Sequence, residues 1–417
     1  MKILTSHLTG NANVKAAIDG FIKAGLLSEF HVTIASIPGS LLDQLGAFST
    51  FSEIRRRRFE PNVKPFLHTW QLFEFGRLLT QKFGVKSRPF GKNTPIFSID
   101  KVVQNFDRHV ANSLKSASKN GVTGVYGFED TTGQTFKQAK NFGMECLYDL
   151  PIGYWRTARK LLDAERNRWP DWVSTMHGLR DSDEKLFNKE EELRMADRIF
   201  VASTFTSNTL KDFPGILAPV EVIPYGFPPV SNEKRIYQPF NNGRPLKLLF
   251  VGGLSQRKGI ADIFEAVKPF GQKVELTIVG RKTTEDCKAL NDALKRHRWI
   301  PSLSHSEILK LMRESDVFVF PSLFEGFGLV ITEAMSQGTP VITTERTAGL
   351  DIIDHGVNGW LIEAGSTTAI RESIENILLK PDSIKEAGIA AMAKAEERSW
   401  EIYGNKLAAA VGMINRS

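Results

Sequence analysis

Two carboxylates in one Gly-rich stretch have the spacing of a ligand-binding loop. Glu325 follows an apolar run at 317–320, and Glu333 lies eight residues later inside a predicted helix. Gly326 and Gly328 leave backbone N–H groups free near the start of that helix, where the helix dipole favours anionic oxygens. Carboxylates accept hydrogen bonds from hydroxyl groups. The stretch therefore indicates a site for an anion that also carries hydroxyls.

A second motif combines glycines with two adjacent cations. Gly253 follows an apolar run at 246–251, and Arg257 and Lys258 come just before another predicted helix. Glycines let the backbone approach a ligand, and two cations beside a helix N-terminus suit a diphosphate. Taken alone, the pattern fits a strand–turn–helix with solvated Arg and Lys side chains equally well.

Both motifs need elements that hold them at the edge of a sheet. Short β-branched runs alternate with helical patterns along the chain, which predicts an α/β fold with parallel strands. Ligands of such sheets bind beyond the carboxyl ends of the strands, where both motifs lie. We predict four parts: an N-terminal Rossmann-like domain at 1–228, a turn-rich linker at 229–245, a C-terminal Rossmann-like domain at 246–398 and a last helical segment at 399–417.

The positive charge is concentrated in one aromatic-rich insertion. The chain has a formal net charge of +7, and residues 51–92 hold ten Lys and Arg against three Glu. This segment fits a cationic face toward an anionic membrane surface or an acidic acceptor. It equally fits a solvated insertion whose aromatic residues pack on the domain. We expect no nucleic-acid partner, because no recognised nucleic-acid motif accompanies the charge.

The cysteines and the chain start indicate a reducing compartment. Cys146 and Cys287 are the only cysteines and are far apart, so they form neither a metal motif nor a disulfide framework. We therefore predict no metal and no cofactor. The N-terminus lacks the pattern of a signal peptide, and no apolar run approaches the ~18 residues of a membrane span. We expect a cytoplasmic protein, which is peripheral on the inner face of the membrane if 51–92 binds lipid.

Together with a strand and Gly-rich turn at 340–362, the two motifs resemble the retaining GT-B glycosyltransferases of family 4. The resemblance covers roughly residues 199–363. It implies two Rossmann-like domains with parallel sheets facing across a cleft, and a last helix that crosses back to the N-terminal domain. It also implies a nucleoside diphosphate sugar as donor on the C-terminal side and a saccharide or lipid-linked acceptor on the N-terminal side. Transfer without a metal ion, in polysaccharide or glycolipid synthesis, is the implied activity.

The resemblance further implies roles for individual residues. Lys258 matches the lysine that contacts the diphosphate, and Arg257 stands in for an arginine that the family often has in place of Gly253. Glu333 matches the residue that holds the ribose, and Glu325 the residue near the donor sugar. The other matching donor contacts are the backbone of Phe327, Gly328 and Leu329, the loop at Gly10, and Gly280 and Arg281 beside the base.

The N-terminal half departs from the family pattern at one position. The family commonly has a histidine after an inner strand that contacts the transferred sugar, and the matching stretch 125–132 has none. Either Glu129 or Asp130 takes that place, or Asp130 or Thr131 caps the following helix.

Four more side chains have two interpretations each. Tyr154 and Arg156 either line the acceptor side, where an aromatic face stacks on a sugar, or are a core aromatic and a surface cation. His7 and His109 are isolated histidines, for which we favour a structural role over catalysis.

Three other functions stay open. They are a sugar-nucleotide epimerase or a phosphorylase on the same fold, and a non-catalytic partner that binds a nucleotide sugar. The presence of Lys258, Glu325 and Glu333 together argues against the non-catalytic partner.

Overall fold

The computed structural model describes residues 1–45, 54, 57–83, 97–176, 181–233, 235–239 and 243–413. Seven parallel strands form the N-terminal sheet. They are Ile3–His7 (β1), Leu27–Val32 (β2), Leu67–Thr69 (β3), Gly124–Phe128 (β4), Glu145–Leu150 (β5), Arg198–Val201 (β6) and Val220–Val222 (β7). Their order is β3-β2-β1-β4-β5-β6-β7. Successive residues such as Ile3 and Leu4 enter different hydrophobic clusters, so both faces of the sheet are buried.

A second sheet of six parallel strands follows. Its strands are Leu246–Val251 (β8), Val274–Val279 (β9), Arg298–Ile300 (β10), Val317–Phe320 (β11), Val341–Thr344 (β12) and Gly359–Ile362 (β13). Their order is β10-β9-β8-β11-β12-β13. The order reverses between β8 and β11, and open parallel sheets bind ligands beyond the strand ends at such a point. The prediction of two parallel Rossmann-like α/β units is confirmed.

Helices connect the strands, and several begin at a serine that accepts a backbone N–H, which stabilises the first turn. In chain order the helices are Ala12–Lys23 (α1), Leu41–Leu45 (α2), Leu72–Phe83 (α3), Ile99–Lys119 (α4), Gly133–Asn141 (α5), Trp155–Arg168 (α6), Asp183–Met195 (α7), Thr204–Thr209 (α8), Ile260–Val267 (α9), Lys288–Leu294 (α10), His305–Glu314 (α11), Leu329–Ser336 (α12), Gly349–Ile352 (α13), Thr367–Leu379 (α14), Asp382–Glu396 (α15) and Trp400–Gly412 (α16). Among the helices in the described part of the chain, none has both the length and the hydropathy to span a bilayer.

The chain passes between the two halves twice, at adjacent points. The Phe227 N–H donates to the Arg398 carbonyl at 2.7 Å, just before α16 begins. From there α16 packs against α1 of the N-terminal half, and Lys23 pairs with Glu401 at 2.8 Å. On the other crossing, the guanidinium of Arg235, within the predicted linker, donates to Thr339 Oγ1 at 2.6 Å, so this part of the linker packs on the C-terminal half.

The basic insertion is partly integrated into the N-terminal half. It supplies β3, and the buried guanidinium of Arg57 pairs with buried Glu74, which also accepts from Arg77 at 2.7 Å. The buried Phe59 ring packs edge-on against Phe30, with centroids 5.3 Å apart. These contacts support packing for this portion of 51–92. The basic residues Arg55, Arg56, Lys86, Arg88 and Lys92 lie outside the described residues.

The close approach of α1 and α16 depends on glycine at the crossing point. A Cβ on Gly404 would lie 2.2 Å from the Ala16 carbonyl oxygen, which belongs to the helix backbone and cannot move aside. We expect Gly404→Ala to lower the free energy of unfolding by about 1–3 kcal/mol, the usual cost of overpacking.

Gly412→Ala is the matched control at the end of the same helix. Its nearest neighbour would be 3.7 Å away, an ordinary contact. Since alanine favours helices over glycine, we expect a gain of about 0.5–1 kcal/mol. Urea unfolding of both variants measures the contrast. Equal effects of the two substitutions would mean that α1 and α16 are not in close contact.

Candidate functional site

The loops after β8 and β11 meet and bring three predicted residues together. Lys258 contacts the Glu325 carboxylate directly, and Arg257 Nη1 lies 3.6 Å from the same Glu325 oxygen. Arg257 Nη1 also donates to the Phe324 carbonyl at 2.7 Å. The Arg257 carbonyl in turn accepts from the Leu323 N–H at 2.9 Å, so the two loops are locked to each other. We call Arg257, Lys258 and Glu325 the cation cluster.

The cation cluster combines two positive groups with one negative group, and all three side chains are partly shielded from solvent. The side chain of Lys258 is 12% exposed. Burial and the neighbouring Arg257 lower the pKa of Lys258 to about 6. The Glu325 carboxylate, which contacts the Lys258 amine directly, favours the charged ammonium. With all three groups ionised the cluster has one excess positive charge, which favours an anionic ligand.

A buried glutamine fixes the conformation of the cationic loop, the segment after β8 that carries Arg257 and Lys258. Gln256 Nε2 donates to Glu165 at 3.0 Å and to Asp262 at 2.9 Å, and its Oε1 accepts from the Ala261 N–H at 2.9 Å. Its own backbone N–H donates to Thr175 Oγ1 at 3.0 Å. Because Glu165 and Thr175 belong to the N-terminal half, both halves of the chain hold this loop.

The carboxylate loop, the segment after β11 that carries Glu325, also forms contacts with the N-terminal half. The Gly326 carbonyl accepts from Ser203 Oγ at 2.6 Å and from Thr206 Oγ1 at 3.0 Å. A Cβ on Gly326 would lie 1.9 Å from the Pro151 carbonyl oxygen, so only glycine fits. Glu325, beside Gly326, therefore lies in a crevice between the halves.

The start of α12 presents free amide groups in the same crevice. The N–H groups of Phe327, Gly328 and Leu329 find no acceptor among the residues that the structure describes. Gly328 has a φ of +89° as the N-cap, which glycine adopts without strain. Three free N–H groups at the start of an eight-residue helix form an anion site.

The other predicted donor contacts, Glu333, Gly253, Gly280 and Arg281, lie on elements next to those of the cation cluster: Glu333 on α12, Gly253 after β8, and Gly280 and Arg281 after β9. A Glu333 oxygen is 3.8 Å from His305 Nδ1, and burial raises the pKa of this glutamate. Gly253 is exposed beyond β8, and a Cβ on Gly280, at the end of β9, would meet the Gly252 carbonyl at 1.8 Å. Arg281 follows with an exposed side chain.

His7, which the sequence suggested to be structural, ends β1 next to the end of β4. Its Nδ1 accepts the N–H groups of Thr9 at 3.0 Å and of Gly10 at 2.8 Å, so the neutral ring has its proton on Nε2. Burial, followed by Arg57, lowers the pKa of His7 to about 4. Nε2 has no hydrogen-bond partner among the described residues. The half-buried ring is thus a neutral donor with a fixed tautomer.

The place of His7 in the sheet is the signal that could have marked it as a functional residue. His7 ends β1, at the point where the strand order reverses between β1 and β4. β1 and β4 are neighbours in the sheet although a long segment separates them in sequence. The His7 ring lies edge-on to Phe128, with centroids 4.7 Å apart, so His7 lies beside the end of β4, after which the family pattern has a histidine. Gly10, with a φ of +72°, packs against Phe59 in the adjoining loop.

Glu129 and Asp130 are held by cations of α7. Glu129 lies 3.5 Å from Lys189, and burial raises the pKa of Glu129 to about 7. Asp130 lies 3.3 Å from Lys185 and has a φ of +72°. The capping alternative for Asp130 or Thr131 was wrong. A carboxylate of α4, Asp107, accepts the N–H groups that open α5, because the long helix α4 packs beside it.

Tyr154 is a core residue, so the first interpretation of its ring as an acceptor surface was wrong. It is 1% exposed, and its hydroxyl donates to Glu190 at 2.7 Å. The exposed Arg156 pairs with the same Glu190 at 2.7 Å and covers the ring of Trp155. The Tyr154 hydroxyl therefore has its hydrogen-bond partner inside the domain, at the point where the chain enters α6.

This chain is similar to glycosyltransferases along the segment that holds the cation cluster. Residues 231–394 match the model of the family described as glycosyl transferases group 1. A phosphatidyl-myo-inositol mannosyltransferase from Mycobacterium leprae is 30% identical over 167 residues, which cover 38% of this chain and 44% of that protein. The capsular polysaccharide biosynthesis glycosyltransferase CapM from Staphylococcus aureus is 33% identical over 143 residues, or 33% and 37%. The chain thus matches less than half the length of these relatives.

The whole chain is similar in fold to two solved structures. Sucrose-phosphate synthase from Thermosynechococcus elongatus has a TM-score of 0.62 at 17% identity, covering 99% of this chain and 97% of that one. Anabaena HepE in complex with UDP and glucose has a TM-score of 0.61 at 17% identity, covering 99% and 100%. The predicted GT-B fold is confirmed, and residues 231–394 have the sequence pattern of a group 1 glycosyltransferase.

Asp149, at the end of β5, generates a prediction about pH. Burial raises the pKa of Asp149 to about 7, against the hydrogen bond from the Tyr126 hydroxyl, which is 2.6 Å long. In the unfolded chain an aspartate ionises near pH 3.9. Between these values the folded state binds the extra proton, so stability falls as pH rises. We expect the protein to lose about 2 kcal/mol between pH 5 and pH 7 through this group.

Asp149→Asn removes that loss, because the amide has the same shape and does not ionise. Urea unfolding at pH 5, 6, 7 and 8 should show the variant gaining on the wild type as pH rises to 7 and levelling off above it. Asp163→Asn, at an exposed carboxylate, is the control. A pH-independent difference between variant and wild type would contradict the role of Asp149.

Proposed function

We propose that this protein is a retaining, metal-independent glycosyltransferase that moves a sugar from a nucleoside diphosphate sugar to a saccharide or lipid-linked acceptor. One observation carries the proposal: Arg257 and Lys258 lie with the free N–H groups of α12 in the crevice between two Rossmann-like halves. The names of the relatives support it, since one is a phosphatidyl-myo-inositol mannosyltransferase and another acts in capsular polysaccharide biosynthesis. HepE, which has this fold, binds UDP and glucose.

In this proposal the C-terminal half stabilises the leaving diphosphate. As the bond between the anomeric carbon and the phosphate oxygen breaks, negative charge grows on the diphosphate. Arg257, Lys258 and the N–H groups of α12 stabilise it without moving, which is commonly the largest contribution to catalysis. The two cations supply the charge that a metal ion supplies in other transferases. Lys258 then shifts from Glu325 to phosphate, and Glu325 accepts donor-sugar hydroxyls.

The remaining steps follow from the same arrangement. The acceptor oxygen bonds to the anomeric carbon on the face that the diphosphate leaves, and its proton passes to the leaving phosphate oxygen. This gives retention of configuration without the two carboxylates at ~5 Å that retaining glycosidases use. Glu333 holds the ribose hydroxyls, while Gly280 and Arg281 border the base.

We further propose that His7 donates its Nε2–H to a sugar or acceptor oxygen. It supplies the contact that the stretch 125–132 lacks, since Glu129 and Asp130 are paired with lysines. A neutral ring keeps this donor without placing positive charge beside the anomeric carbon.

Contact with the inner face of the membrane also stays a proposal. Arg57 and Arg77 both pair with Glu74, and Arg57 is buried. Such contact would therefore rest on exposed groups such as Arg58 and Lys64, and a lipid-linked acceptor would bring it about.

Lys258→Ala tests the diphosphate site. We expect one of UDP, GDP and ADP to bind the wild type, and the substitution to weaken its binding at least ~10-fold, because a charge-assisted hydrogen bond is worth about 1.5–3 kcal/mol. Titration calorimetry measures the affinities. Lys288→Ala, at an exposed lysine of the same domain, is the matched control. Unchanged affinity in Lys258→Ala would refute the site.

Product analysis separates the proposal from its alternatives. Incubating the matching nucleotide sugar with acceptors should give a glycoside of the donor's anomeric configuration by NMR. Conversion of the nucleotide sugar into an isomer without acceptor would instead identify an epimerase. Bound pyridoxal phosphate, visible by absorbance, would identify a phosphorylase.

His7→Asn and His7→Gln separate donation from loop support. Asparagine places an acceptor near Nδ1 for the N–H groups of Thr9 and Gly10, while glutamine places a donor near Nε2. We expect His7→Asn to keep the melting temperature and to lower kcat/KM by up to about 10-fold, because a lost hydrogen bond is worth about 0.5–1.5 kcal/mol. His7→Gln should retain more activity. A purely structural histidine would give another pattern: unchanged kcat/KM in His7→Asn, and a lowered melting temperature in His7→Gln, which lacks the acceptor for the Thr9 and Gly10 N–H groups.

A further inference from the structure

Two histidines and a glutamate come together on strands β2 and β3, away from the cation cluster. These strands pair in register, with His31 opposite His68, and Glu29 lies two residues before His31 on the same face. Glu29 Oε2 is 2.9 Å from His31 Nε2, and the His31 and His68 rings stack with centroids 4.7 Å apart. Each residue offers one ligand atom, and these atoms all lie within 4.8 Å of one another.

His31 is the buried member of this group. The residue is 3% exposed, and its Nδ1 is buried with no hydrogen-bond partner in the described part of the chain. No Nδ1 interaction therefore has to be broken when the ring proton moves from Nε2 to Nδ1. That tautomer turns the Nε2 lone pair toward Glu29, as a metal ligand requires.

We propose that Glu29, His31 and His68 bind a divalent transition metal ion, with zinc as the ion that best fits two imidazoles and one carboxylate. Zinc commonly takes this ligand set, with a fourth position open to water. Ligand atoms of a tetrahedral zinc site lie roughly 3.3 Å apart. The Glu29–His31 pair is already closer than this, and His68 is exposed, so its side-chain torsions can close the remaining distance.

The ion ties the basic insertion to the sheet. β3 has three residues, belongs to the insertion and forms the edge of the sheet beyond β2. A ligand from β3 and two from β2 make a cross-link between these strands. The exposed position of His68 gives the ion a path from solvent. Sequence spacing gave no sign of the site, because 36 residues lie between His31 and His68, and Glu29 is two residues further away.

Metal titration of the full chain tests the proposal. Tag-free protein is treated with a chelator, dialysed and titrated with Co²⁺, whose visible absorption reports tetrahedral nitrogen and oxygen ligation, and then with Zn²⁺ in competition. We expect one ion per chain, and a melting temperature that rises with the free metal concentration. Glu29→Gln and His68→Ala should each weaken binding at least tenfold. His355→Ala, at an exposed histidine of the C-terminal half, should bind as the wild type does.

Two results would overturn the site. One is the lack of saturable binding by the wild type. The other is wild-type affinity in both Glu29→Gln and His68→Ala, which would mean that other groups bind the ion. Because the readouts are metal affinity and melting temperature, they do not depend on glycosyl transfer.

Discussion

Two adjacent cations held in a partly buried crevice are the constraint on which the rest of this structure depends. Arg257 and Lys258 are consecutive residues, and burial disfavours both charges. Glu325 offsets the cost for one of them and leaves one positive charge over. Free amide groups at the start of α12 add to this charge instead of cancelling it. Without a bound anion these partly desolvated positive groups raise the free energy of the folded protein, and a bound anion offsets that cost.

The surrounding contacts prevent the cluster from relaxing. If the loops could move, Arg257 and Lys258 would reach solvent and the excess charge would be hydrated. Gln256 fixes the cationic loop, because both polar atoms of its buried side chain are hydrogen-bonded. From the N-terminal half, Arg168 forms a bidentate pair with Asp262 at 2.8 and 2.6 Å. The preorganisation of the site therefore comes from both halves, although its charges belong to one.

The sequence predicted those parts of the molecule that depend on local pattern. The alternation of short apolar runs and helical patterns was enough for two parallel sheets, and glycines with charges after strands marked the loops of the cation cluster. The sequence indicated a helix start near Gly326 and Gly328, and in the structure the helix begins at Leu329. These signals are encoded within about ten residues, so no tertiary information is needed to read them.

What the sequence left open depends on residues that are distant along the chain. Tyr154 could pack inside or face a ligand, and only Glu190, from α7, decides between them. Asp107 caps α5 from another helix, which local capping rules cannot detect. His7 looked isolated until the sheet order put β1 beside β4. In each case a partner more than twenty residues away sets the role of the side chain.

The two walls of the crevice differ in charge, and under the proposed function this difference would give a nucleotide-sugar donor one orientation. On the C-terminal wall two cationic side chains, Arg257 and Lys258, share one carboxylate, Glu325. On the N-terminal wall Glu129 faces Lys189, Asp130 faces Lys185, and the low pKa of His7 keeps its ring neutral. A diphosphate gains from the first wall and nothing from the second, whereas an uncharged sugar can use the neutral hydrogen-bonding groups of the second. The anomeric carbon, which joins the two parts of a nucleotide sugar, would then lie at the boundary between the walls, where an acceptor held by the N-terminal half can reach it.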